Sequence, residues 1–131
     1  MALSEEYRAI AEMMHSVWNY GTAIHDGNQF LGLIRLRFGD IDGAKEFLIR
    51  AGLSPGSPQL DSIGPQMLLA RRLFQRGETG VVLKYIDLVA RFWTQRKPCH
   101  NELPGAKDEL LRKRRLIGIW KIDIAAGRVP R

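Results

Sequence analysis

Apolar positions recur along this chain at three- and four-residue spacing, separated by short breaks rich in glycine, proline and aspartate, the pattern of amphipathic helices joined by turns. Tyr7, Ile10, Ala11, Met14, Val17 and Trp18 make the first stripe and predict a helix over about residues 4–20. Ser4 is placed to cap it, and Glu5 and Glu6 fall in the first turn, where the helix dipole favours acids. The pattern predicts a stop near Gly21 and a break at Asp26-Gly27. The next run, Phe30, Leu31, Leu33, Ile34, Leu36 and Phe38, is too apolar all round to show much to water. Gly39-Asp40 ends that helix. Asp40 is placed to cap its successor, in which Ile41, Ala44, Phe47, Leu48 and Ala51 repeat with helical spacing. So short a connection makes the two helices antiparallel neighbours, a hairpin over residues 27–53.

The stretch from Ser54 to Pro65 holds too much proline, glycine and serine for a helix, and reads as a loop longer than adjacent hairpins need, either a spacer or a functional edge. Asp61 or Ser62 is placed to cap the next helix, with Pro65 in its first turn. A second hairpin is expected over residues 64–95: Met67, Leu68, Ala70, Leu73 and Phe74 in its first helix, then Gly77-Glu78, then Val81, Val82, Tyr85, Ile86, Val89 and Phe92. A polar stretch broken by Pro98 and Pro104 predicts another loop. The last helix should span about residues 106–126, stopped by Gly127 and Pro130. Its stripe is Leu110, Leu116, Ile117, Trp120 and Ile124. Ile119 and Ile122 fall off that stripe, so the helix is either sandwiched or carries a surface for a partner, including a second copy of the chain.

The hairpins resemble the tetratricopeptide repeat, a unit of roughly 34 residues in which small side chains let two helices approach closely. Gly32, then Ala44 twelve positions on, then Ala51 seven further, match its small positions; Gly39-Asp40 sits at its inter-helix turn, and Leu31 and Leu48 take large apolar positions. Ala70, Val82 and Val89 repeat that spacing in the second hairpin with larger residues. Asn28 and Arg35 stand where the family favours aromatics, and Pro55-Gly56 close the unit with proline one place early. The stretch from Pro55 to Ser62 also resembles small bacterial helical-repeat proteins. The resemblance implies an all-α fold, with hairpins stacked as a short superhelix that the last helix caps, and a non-enzymatic module binding a protein partner or peptide segment. It places that ligand on the inner faces of the first helices, here Gln29, Leu33, Leu36 and Arg37. The lysine and asparagine arrangement with which some such repeats hold a terminal carboxylate is not present.

Length and composition agree with one domain. A chain of 131 residues buries a real core, and 45% apolar with 26% charged residues is ordinary for a globular protein. No window approaches the roughly 18 apolar residues that span a bilayer, and the first residues lack the pattern of a secretion signal. With Cys99 as the only cysteine, no intramolecular disulfide forms, and a reducing, cytoplasmic location is expected.

Charge adds a second functional reading. Residues 1–65 carry five Lys or Arg against eight acids and residues 66–131 fifteen against six, so the net +6 divides into −3 and +9. The basic half makes nucleic acid the alternative partner, through Arg71 and Arg72 and the run Arg112, Lys113, Arg114 and Arg115, with Trp93 and Trp120 as candidate stacking platforms. Four consecutive helical residues point in four directions, a collar rather than a stripe. Catalytic signals are poor: Cys99-His100 are sequence neighbours without a third orienting group. His15 and His25 stand ten apart and match no zinc spacing, and Gly77-Glu78-Thr79-Gly80 lacks the lysine of a phosphate loop. No enzyme activity, metal or cofactor is expected.

Overall fold

The computed structural model describes residues 20–57, 64–94 and 105–131, together with Glu5 and Leu60. These residues form five helices, with no strand among them: α1 (Tyr20–Arg37), α2 (Ile41–Gly52), α3 (Leu68–Gln75), α4 (Thr79–Trp93) and α5 (Ala106–Ala125). The helix expected over residues 4–20 lies outside the described residues apart from Glu5 and Tyr20, and so does the Cys99-His100 pair. No helix among the described residues is long and apolar enough to cross a membrane.

Two corners of the same construction fold the chain back. Gly39 and Gly77 adopt left-handed φ angles of +80° and +85°, which only glycine takes without cost. At the first corner Gly39 N–H bonds the Leu36 carbonyl at 3.0 Å and Asp40 N–H bonds Arg35 at 2.9 Å; at the second, Gly77 bonds Phe74 at 2.9 Å and Glu78 bonds Leu73 at 3.0 Å. Each corner thus satisfies carbonyls that the helix end would leave bare. The next helix begins at once. Asp40 caps α2 by accepting from Gly43 N–H at 2.9 Å, whereas Glu78 reaches across to Lys45 at 3.1 Å and ties the two hairpins together.

Two expected boundaries are corrected. α1 runs unbroken through Gly21 and Asp26-Gly27, because tertiary bonds hold its first turns where local propensity is weak. Ser54 Oγ donates to the Gly21 carbonyl at 2.6 Å, the Thr22 and Ser57 hydroxyls meet, and the His25 ring bonds the Ala51 carbonyl at 2.9 Å. A Cβ on Gly21 would stand 1.9 Å from the Gly56 carbonyl oxygen, so glycine there is a condition of the approach. Likewise α3 starts at Leu68 rather than near Pro65. The Gln66 backbone bonds to side chains of α1 and α4 and cannot enter a helical turn.

α1 packs on α2 and α3, α4 packs on α2 and α3, and α5 on α4. Leu31, Leu48, Leu69, Leu73, Ile86 and Val89 have no exposed surface, each contributing about 1.5–3 kcal/mol by burial. The small positions Gly32, Ala44, Ala51, Ala70, Val82 and Val89 are all buried. α5 closes the far side: Ile117, Trp120 and Ile124 face inward, and the Trp120 ring stacks on Trp93 with centroids 5.8 Å apart. After Gly127 the chain turns back, and the Trp120 indole N–H donates to the Arg131 carbonyl at 2.6 Å while Arg71 Nε donates to that of Pro130 at 2.8 Å.

Candidate functional site

The first helices of the two hairpins lie side by side and leave a cleft of about 710 Å³ between them, within the size range of binding cavities. Phe30, Leu33, Ile34 and Arg37 follow the i, i+3, i+4, i+7 spacing and so share one face of α1. That face turns away from His25, Asn28 and Gly32, which point into the protein. Across the cleft stand Arg72, Gln75 and Arg76 at the end of α3. The apolar character of α1 on every side therefore serves two surfaces: one stripe is core and the other lines the cleft. Phe30 is 49% exposed there.

The rim is cationic and unbalanced. Arg37, Arg72 and Arg76 are exposed, and among the described residues they make no ion pair or hydrogen bond and no carboxylate lines the cleft. Arg35 next door differs: it faces Asp40 at 3.7 Å and covers the Phe47 ring at 5.9 Å.

The residues singled out from sequence separate into three places. Leu33, Leu36 and Arg37 line the cleft, with Leu36, 4% exposed, as its floor. Gln29 does not, which corrects its expected place on an open face. It is buried, and its Nε2 donates to the Tyr85 hydroxyl at 2.9 Å and the Gln66 carbonyl at 3.3 Å. Ile119 and Ile122 lie on α5, half-buried and exposed respectively.

The basic set is dispersed. Arg72 belongs to the cleft, and Arg71 is engaged with Pro130. Arg112, Arg114 and Arg115 are exposed on α5. Lys113 is a second correction, because it lies on the inward stripe with Ile117, Trp120 and Ile124. Its side chain is buried, its Nζ lies 3.6 Å from Glu109 and 5.7 Å from the centre of the Trp93 ring, so the long stem packs as an apolar group. Trp93 and Trp120 stack on each other inside the core and offer no platform for bases. Phe30, Ile34, Gln75 and Arg76 line the cleft without having been expected there; the spacing from Phe30 to Arg37 is the signal that points to the first two.

A polar cluster joins the hairpins behind the cleft. His25 Nδ1 donates to the Ala51 carbonyl at 2.9 Å and its Nε2 accepts from Gln66 N–H at 3.0 Å, which fixes the neutral tautomer. The Tyr85 hydroxyl donates to the Gln66 carbonyl at 2.5 Å. Burial lowers the His25 pKa below its ordinary value, partly opposed by the bond to Ala51 and the nearby Asp26; burial raises those of Tyr85 and Asp26. These bonds make the cluster a fastening of loop to helices. Among the described residues no three His, Cys, Asp or Glu side chains gather as a metal site. No family model, curated protein or solved structure matches the chain.

Proposed function

We propose that this chain is a non-enzymatic protein-interaction module of tetratricopeptide-like type, and that it takes a segment of a partner protein into the cleft between α1 and α3. The observation that carries the reading is an apolar stripe in the cleft, with Phe30 half exposed and Leu33 and Ile34 half-buried, on a helix whose other side already forms the core. A stripe of this kind costs solubility unless something covers it. The paired glycine corners and the buried small positions in both hairpins support the repeat-like stacking, which brings the first helices together. The rival reading, nucleic acid on the basic half, has less support, since its six arginines and lysines are dispersed and both tryptophans are internal.

The test is selection from a random peptide library displayed on phage, with counter-selection against Leu33→Glu, whose helical content is checked by circular dichroism. Sequences that bind the natural chain and not the variant support the reading. A library that yields none, or only binders indifferent to Leu33, refutes it.

A further inference from the structure

We infer that the segment taken by the cleft is an acidic amphipathic helix, with apolar residues on one side and carboxylates flanking them. This rests on the cleft being the docking site and specifies the chemistry of its occupant. Charge comes first. Arg37, Arg72 and Arg76 surround the apolar stripe with no carboxylate in the lining among the described residues, so an occupant without acids leaves three guanidinium groups beside a newly dried surface. Asp or Glu side chains at its edges meet them in charge-assisted, often two-pronged bonds.

The walls set the occupant's secondary structure. Both sides of the cleft are helices, whose backbone groups bond within the helix except at the last turns, and Gln75 is the one amide side chain in the lining among the described residues. No strand edge is offered among the described residues. An occupant pressing apolar atoms onto Phe30 and Leu33 must then satisfy its own peptide groups, as a helix does and an extended chain does not. Its anchors are expected at i, i+3 or i+4, and i+7, the spacing of helices that dock in grooves.

The experiment uses two synthetic helix-forming peptides, amidated at the C-terminus so that no terminal carboxylate contributes. They share the same leucines at that spacing; one carries glutamates and the other lysines at the flanking positions. Each is titrated by fluorescence anisotropy into the full chain and into Arg72→Ala, Arg76→Ala and Leu33→Glu variants. The arginines are exposed, so their removal leaves the fold intact. The expected result is that only the glutamate peptide binds, that it loses about ten-fold in affinity with either arginine variant, that added salt weakens it, and that Leu33→Glu abolishes it. Equal binding of both peptides, unchanged by the arginine variants but lost with Leu33→Glu, overturns the acidic chemistry and leaves the cleft as a docking site. Binding of neither peptide overturns the inference, while the library selection judges the docking reading separately. A single-stranded oligonucleotide that binds in place of the glutamate peptide and is lost with Arg72→Ala also overturns it.

Discussion

His25 of α1 and Tyr85 of α4 stack across the junction of the two hairpins, ring centroids 6.3 Å apart at 19°, and both bond the backbone of Gln66. One residue of the loop is thus gripped on its N–H by a histidine and on its carbonyl by a tyrosine. The grip requires His25 to be neutral, because its Nε2 is an acceptor there.

That requirement makes stability depend on pH in a stated direction. His25 titrates below its ordinary value in the folded protein because it is buried, and near about 6.5 when unfolded. Below that value the unfolded chain binds a proton that the folded chain refuses, so stability falls as pH falls. Asp26, raised by burial, acts in the opposite direction, adding stability as pH falls through its folded value. The thermal midpoint should therefore drop between about pH 7 and pH 5, and His25→Gln should flatten that dependence while lowering the midpoint overall. A midpoint that holds or rises on acidification would remove the neutral-histidine account.

Replacing Tyr85 by Phe keeps the ring and deletes the hydroxyl. The Gln66 carbonyl loses its shorter donor and the Gln29 amide its shorter acceptor, leaving those two bonded to each other at 3.3 Å. Each lost bond costs about 0.5–1.5 kcal/mol, so the two together cost about 1–3 kcal/mol. Urea unfolding should show a loss in that range, with faster hydrogen exchange at the Gln66 amide. A variant as stable as the natural chain would show that water replaces the hydroxyl at no cost.

Two helical glycines should respond to alanine with opposite signs. Gly118 on α5 has no atom within 4 Å of a built Cβ, so Gly118→Ala gains the helix propensity difference, about 1 kcal/mol. At Gly32 the same atom would stand 2.2 Å from Leu69 Cδ2 and 3.3 Å from Phe47 Cβ. Leu69 is fully buried and has nowhere to go, and overpacking costs about 1–3 kcal/mol, which outweighs the gain. Thermal midpoints should rise for the first and fall for the second; two rises would mean the α1–α3 contact is looser than described.

Local chemistry decides which parts of this fold are legible in the sequence. The Gly39-Asp40 and Gly77-Glu78 corners and the Gly127 stop declare themselves, since a left-handed glycine beside a helix end is a signal within a few residues. Asp26-Gly27 misleads for the complementary reason: that stretch of α1 is held by Ser54, Ser57 and Ala51, partners that no local window contains. Polarity misplaces Lys113 and Gln29 on open faces, although both share helical spacing with buried neighbours. Leu33, Leu36 and Arg37, expected from the sequence, come with Phe30 and Ile34 from one helix, five of the eight described residues that line the cleft. Arg72, Gln75 and Arg76 join it only through the way α3 lies against α1, a long-range fact.

Asp123 is 2% exposed and holds both Arg128 and Arg131, each at 3.3 Å. These pairs fold residues 126–131 back, so that the Arg131 carbonyl meets Trp120 and the Pro130 carbonyl meets Arg71. The hydrogen bond from Arg131, opposed by burial and aided by Arg128, holds the Asp123 carboxyl below the usual range. Stability from a depressed carboxyl is present above its unfolded value, about 3.9, and is lost as pH falls through the folded one. Asp123→Asn should remove that acid-side loss and release the segment at neutral pH. Tryptic cleavage after Arg128 should quicken and the Trp120 indole proton should exchange faster. Unaltered cleavage and exchange would mean that the packing of Pro130 and the bond from Arg71 hold the segment without the carboxylate.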